Sequence, residues 1–265
     1  MLDKPDQLYW KEQCEESAQA LLNVGDHAYS LARCLKPHAD AEMVPAAHKC
    51  SEWLMLAAGL KEVTIVTNGL DHQDTYCSNT HEEERGRVAS ASAVELTRLL
   101  FAWGALDLAL RNSTSAVIRA RSISQRLINL MESDVPILLH HSCAINTMMR
   151  LLSSSFSILP NDILDIASRK TASDAVRATL CAYYLRNTLA HGSLVWPVEE
   201  ADGAIPHLAL GRVSTRLLLF AVQTYILSVA DLDGLEYQLS DVTDEYEWIP
   251  LRDFVPKLHL RPVLD

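Results

Sequence analysis

Leu99-Leu100-Phe101-Ala102-Trp103-Gly104-Ala105-Leu106 is apolar nearly all the way round when wound as a helix. A helix with no polar face must be covered on every side, so this stretch predicts a central helix in a bundle, over residues 87–110. The chain on either side reads in the same way. Apolar residues recur at helical spacing over residues 8–35, where Lys36-Pro37 supplies the stop, because proline disfavours helix in the residue before it. Pro45 fits the first turn of a second helix running to Leu60, with Trp53, Leu54 and Leu56 to bury. Further helical patterns cover residues 115–131, 136–152, 162–169, 173–190 and 208–231. Between the second and third helices, residues 61–85 break the pattern. Val63-Thr64-Ile65-Val66 has the make-up of one short strand, and Asn68-Gly69 with the polar run through His72, Asp74, Asn79 and His81 reads as loop. After residue 232 the chain is first acidic (Asp241, Asp244, Glu245, Glu247) and then proline-spaced (Pro250, Pro256, Pro262), which predicts an irregular strap over the surface.

The result is an all-α expectation in three parts: an N-terminal helical extension and loop over 1–85, a helical bundle over 86–232 and an irregular C-terminal tail over 233–265. Composition agrees. In 265 residues there are only 9 glycines and 10 prolines, too few turns for a sandwich or barrel. Apolar residues make up 49% and charged residues 22%, which excludes a mainly disordered chain. No repeat of solenoid length is visible.

Charge and cysteine usage bound the function. The net charge of −11 excludes a general basic surface for duplex DNA, so any phosphate site must be local. Cys14, Cys34, Cys50, Cys77, Cys143 and Cys181 stand far apart with no Cys-x-x-Cys pair, so neither a zinc ribbon nor a disulfide framework is expected, and a reduced, cytoplasmic setting fits. Residues 1–16 carry Asp3, Asp6, Glu12, Glu15 and Glu16, the opposite of a secretory leader. The longest apolar stretches, 53–60 and 217–222, are too short to cross a bilayer, and no membrane partner is expected.

One segment carries chemistry: Tyr183-Tyr184-Leu185-Arg186-Asn187-Thr188-Leu189-Ala190-His191-Gly192. Arginine followed by histidine at this spacing is a weak signal, since roughly two such pairs arise by chance in this composition. The asparagine directly after the arginine lowers the chance expectation to roughly 0.02. Gly192 after a helical run is what a helix C-terminus calls for. On an ideal helix Ala178, Ala182, Leu185 and Leu189 form one stripe, Asn187 and His191 lie roughly opposite, and Arg186 sits at the border. Val176, Leu180 and Tyr184 precede Asn187 and His191 on that second side, so this helix needs cover twice.

The segment resembles the Arg-Asn-x-x-x-His signature of the HEPN superfamily, an all-α bundle found in many ribonucleases. Residues 100–107, a tryptophan-bearing apolar helix ending in Asp107, are similar to a second helix of related members. Residues 1–60 carry no resemblance. What the resemblance implies is a HEPN-like bundle acting as a metal-independent endoribonuclease without cofactor, in which two copies pair through the motif helix so that two motifs meet across a two-fold axis. It also implies RNA as substrate, 2′,3′-cyclic phosphate and 5′-hydroxyl ends as products, and a toxin or antiviral-defence role with an antitoxin or sensor protein as partner. HEPN toxins restrained by nucleotidyltransferase antitoxins carry a tyrosine two residues beyond the histidine; here that position is Ser193.

The residue types suit this chemistry. An imidazole with an ordinary pKa near 6.5 can take a proton from a ribose 2′-hydroxyl or give one to the leaving 5′-oxygen, and a guanidinium offers a planar fork to phosphate charge. His191 is therefore the candidate acid/base, Arg186 the phosphate clamp, Asn187 the orienting group and Asp107 a support. Two arginines and two histidines in one cleft would make a local positive field on an acidic protein. A plainer reading gives Arg186 and His191 the task of neutralising a helix C-terminus, and Asp107 that of a solvated or arginine-paired acid. The alternatives of another class are a non-catalytic HEPN-like module binding nucleotide or protein, and a structural helical scaffold.

Other features are weaker. His140-His141-x-Cys143 invites a metal, but adjacent histidines diverge by about 100° on a helix and no second ligand pair matches; core or surface roles fit better. His72, Cys77 and His81 are uninformative. Arg119, Arg121 and Arg126 give one basic side to a helix after Ser113, a solvated face or an RNA-backbone track. No phosphate-cradling glycine loop, Gly-x-Ser-x-Gly elbow or His-Glu-x-x-His pair is present.

Overall fold

In the computed structural model, which describes residues 22–35, 46–64, 78–135, 138–154, 159–191, 201–229, 236–240 and 246–260, the apolar stretch 99–106 sits inside one long helix. The helices are α1 (Val24–Leu35), α2 (Ala47–Gly59), α3 (Ser78–Asn112), α4 (Ile123–Met131), α5 (His141–Ser154), α6 (Asn161–Ser168), α7 (Asp174–Ala190) and α8 (Ala201–Val229). Strands β1 (Glu236–Ser240) and β2 (Tyr246–Pro250) follow, then a single turn α9 (Leu251–Phe254) and a 3₁₀ turn (Val255–Lys257). The chain is mostly helical.

Two long helices organise the molecule. Leu217 through Val222 of α8 are all buried, as are Leu99, Ala102, Trp103, Ala105 and Leu106 of α3, and the two helices pack along one another. Around α8 lie α5 and α7, while α1 and α2 pack on each other and α2 on α3. Residues of α1 and α2 such as Leu31 and Leu54 belong to the same apolar cluster as those of α5 and α7, so these two helices share the core of the bundle. A polar tie crosses this core. The buried Glu95 accepts from Arg212 Nε at 2.8 Å and Arg98 Nη1 at 3.4 Å, and Arg98 Nη2 donates to the Leu60 carbonyl at 2.6 Å, linking α3 to α8 and to the end of α2. A buried carboxylate needs such partners to remain charged.

Local chemistry sets several boundaries. Ser122 Oγ accepts from the Gln125 amide at 3.2 Å and Ser173 Oγ from the Val176 amide at 3.3 Å, so side-chain oxygens cap α4 and α7 where the serines stand. That corrects the helix expected from residue 115: 116–118 form a turn, and α4 waits for Ser122. Arg126 is not part of a basic face. Its guanidinium donates to the Leu110 carbonyl at 2.6 Å, to Arg111 O at 3.2 Å and to Ala120 O at 2.8 Å, closing the C-terminus of α3.

Three further expectations give way. The loop expected over 61–85 ends early, because α3 begins at Ser78. Glu82, Glu83 and Glu84 are good helix formers, and a polar stretch without an apolar stripe hides from periodicity. The irregular tail is in part an antiparallel hairpin, Glu236 opposite Pro250 through Ser240 opposite Tyr246. Tyr237, Leu239, Tyr246, Trp248 and Ile249 are strand formers. Trp53 and Leu56 stay 39% and 53% exposed while Leu54 is buried, because α2 turns only one stripe inward. The strand expected at 63–66 has no regular secondary structure at 63 and 64 and otherwise lies outside the described residues, as do residues 1–21, Ser193 and His72.

Cys34, Cys50 and Cys181 are free and buried, and burial pushes each thiol up to about 12. Cys143 is disulfide-bonded, which departs from the expectation that the cysteines form no disulfide framework. Among the described residues no helix is long and apolar enough to cross a membrane, and no cluster of histidine, cysteine and carboxylate could hold a metal ion.

Candidate functional site

The motif helix α7 starts at the Ser173 cap and runs to a C-cap at His191, whose amide bonds back to the Asn187 carbonyl at 3.0 Å. Ala178, Ala182 and Leu185 are buried on the expected stripe. Val176 and Leu180, which begin the second side, are buried as well, because α4, α5 and α6 all pack on α7. The second cover at the start of the helix therefore comes from the chain itself. At the C-terminal end, Tyr183, Tyr184, Arg186 and Asn187 remain half-buried and His191 is exposed.

The structure brings the two sequence segments together. Trp103 of α3, 4% exposed, lies with its ring 4.6 Å from that of Tyr183, and the Arg186 guanidinium carbon lies 5.8 Å from the Trp103 ring centre. Arginine stacks readily on an indole face, an attraction of about 1 kcal/mol. Arg186 Nη1 also donates to Asn187 Oδ1 at 3.0 Å, and Tyr184 sits edge-on to Tyr183 at 5.0 Å. Tyr183 and Arg186 thus lie against an indole floor, and Asn187 is tied to it through Arg186. The Arg186 Nε is shut off from solvent without a hydrogen-bond partner, and a donor left so is a place where an acceptor gains most.

Asp107 and His191 are placed otherwise. Asp107 pairs with Arg111 one turn on, Oδ2 to Nε 2.7 Å, and makes no ion pair with Arg186. Its carboxylate raises the Arg111 guanidinium above its ordinary value by accepting that bond. His191 makes no side-chain hydrogen bond or ion pair among the described residues. Five residues beyond Arg186 at the helix end, its position is about 140° round the axis and ~7.5 Å along it. Asn187 and His191 share a face, and Arg186, at its border, lies over Trp103 while bonding Asn187. An open depression elsewhere, lined by Asn146, Met149, Arg150, Asp174 and Arg177, touches the start of α7 and none of the motif residues.

The local string Arg-Asn-x-x-x-His was legible because its members sit within two turns of one helix. The sequence did not single out Arg216, Gln223, His27 or His259, which meet in a buried polar cluster on α8. The available signal was an arginine and a glutamine flanking the apolar run 217–222. Comparison of the chain with protein-family models, curated proteins and solved structures finds no match.

Proposed function

We propose that the chain is a HEPN-type, metal-independent endoribonuclease whose working site is assembled from the α7 ends of two copies. The observation that carries the reading is the packing of Trp103 against Tyr183 and Arg186: two segments singled out separately in the sequence meet side by side, with the guanidinium fixed by Asn187 and the indole. In this mechanism the exposed His191 takes the 2′-hydroxyl proton, and the attacking oxygen closes a 2′,3′-cyclic phosphate as the 5′-oxygen leaves with a proton from the second imidazole. Arg186 meets the charge on the phosphorus-bound oxygens through its free N–H groups. Because Arg186 and His191 diverge along one helix, each copy supplies a clamp on one side and a base on the other, and a two-fold pairing of the exposed α7 ends joins them. Such an enzyme fits the toxin or antiviral-defence role, in the cytoplasm, under a restraining antitoxin or sensor protein.

A second reading, the non-catalytic module, draws on the Asp107–Arg111 pair and on Arg186 being occupied by groups of its own chain. Incubating purified protein with a structured RNA in excess chelator decides between them. The expected result is fragments ending in 2′,3′-cyclic phosphate, produced by wild type and lost in His191→Ala. RNA that is bound but left intact by both proteins favours the module.

A further inference from the structure

Between Asp107 and Glu132 the chain carries four arginines and no acidic residue, where its average composition would place about three acids. On a chain of net charge −11 such a run is a local reversal of sign, and the fold gathers it into one place. Arg126 makes the tie. Its guanidinium donates to the Leu110 and Arg111 carbonyls at the end of α3 and, through Nε, to the Ala120 carbonyl at 2.8 Å. Ala120 stands between Arg119 and Arg121, so this side chain brings the backbone of both to the last turn of α3, where Arg111 lies.

The turn that follows α3 is braced from other directions as well. Ile118 is fully buried, the Arg119 amide bonds the Ser115 carbonyl at 3.1 Å, and the Ser122 cap fixes the chain directly after Arg121. Arg126 is occupied by carbonyls, whereas Arg111, Arg119 and Arg121 are exposed. Asp107 offsets Arg111, but Arg119 and Arg121 make no side-chain hydrogen bond or ion pair among the described residues. Guanidinium groups carried on a braced backbone lose less freedom on meeting a ligand than the same groups on a loose loop.

This patch adjoins the motif. Trp103, Asp107 and Arg111 follow at intervals of four residues, a stripe of α3 whose first member lies under Arg186 and whose last lies within electrostatic reach of Tyr183. From Trp103 to Arg111 the helix rises ~12 Å, the span of about three to four phosphates in a helical strand. Arginine's planar fork meets phosphate oxygens in pairs, and a row of phosphates is the polyanion that a ribonuclease site at the end of α7 would bring past these residues. We propose that Arg111, Arg119 and Arg121 hold the phosphate backbone of RNA that flanks the bond cut at α7. The occupant rests on the ribonuclease reading; the patch itself rests on the geometry of α3 and its turn.

Anisotropy of a labelled 2′-O-methyl RNA of about 20 nucleotides, which has no 2′-hydroxyl to attack, titrated with the full chain at several salt concentrations, tests this. Each phosphate contact adds about 0.7 to the slope of log affinity against log salt for a single strand, so Arg119→Gln/Arg121→Gln should lose about 1.4 of that slope and at least about tenfold in affinity at ~0.1 M salt. A control pair toward the other end of α7, Arg169→Gln/Lys170→Gln, removes the same charge from exposed positions and should bind as wild type does. Equal binding by wild type and the Arg119/Arg121 variant overturns the patch. So does a wild type that binds no RNA, or an equal loss in the control pair. Displacement by polyglutamate of equal charge as readily as by unlabelled RNA overturns RNA as the occupant. The enzyme fails separately: binding that depends on the patch, with unmodified RNA left intact, keeps the patch and removes the nuclease.

Discussion

Arg186 is tied into its own chain before any ligand arrives: its guanidinium lies over Trp103 and bonds Asn187. Arg186→Ala should therefore cost about 1–2 kcal/mol in urea unfolding as well as any activity, and Arg186→Lys, which keeps the charge but loses the fork, about 1 kcal/mol. His191 is the opposite case. Exposed and, among the described residues, without a side-chain partner, it should tolerate His191→Ala within about 0.5 kcal/mol, so activity lost in that variant cannot be assigned to unfolding. The histidine that looks functional was legible because its companions are local in sequence. His27 and Gln223 bond across 196 residues and Gln223 faces His259 across 36, distances that no periodic pattern spans. The resting thiols follow from burial: with Cys34, Cys50 and Cys181 each pushed up to about 12, none should react with a disulfide reagent at neutral pH until the chain unfolds.

Among elements, α3 was readable where it is apolar and hidden where it is polar. Residues 99–106 announced a central helix, while 78–86 carry no stripe and passed for loop. The α2–α3 contact adds a detail that only coordinates supply. Gly104 lies under the Trp53 ring, and a Cβ built there would come within 2.9 Å of Trp53 Cδ2, closer than carbon atoms pack. Trp53 also meets Phe101 at 5.7 Å between ring centres. Gly104→Ala gains about 1 kcal/mol of helix propensity but must displace a rigid ring, and the net expected is a loss of about 1 kcal/mol with a changed Trp53 fluorescence. An unchanged spectrum with a gain in stability would mean that the ring is not held there.

For the whole molecule, the buried histidines set the response to pH. A histidine whose folded pKa is depressed binds more protons unfolded than folded, so stability rises with pH between the folded and unfolded values. With His141 and His259 near 4 and His27 also lowered, stability should be fully present above the unfolded value of about 6.5 and fall as pH drops toward 4, His141 and His259 each contributing on the order of 3 kcal/mol. Urea midpoints at a series of pH values read this directly, and a midpoint that rises on acidification contradicts it. The all-α class was legible from composition and spacing; the hairpin at 236–250 and the bond from the Leu22 amide to the His259 carbonyl were not, because long-range pairing leaves little local trace. The proposed enzyme needs two copies, since Arg186 and His191 stand about 140° apart on a single α7 and, on a chain of net charge −11, the meeting of two motifs would concentrate positive charge. RNA cleavage by a one-to-one mixture of Arg186→Ala and His191→Ala, mixed under conditions that let subunits exchange, asks whether they do meet. Wild type should cleave in excess chelator, each variant alone should not, and the mixture should regain cleavage; an inactive wild type, or a mixture as silent as its parts, would contradict the composite site.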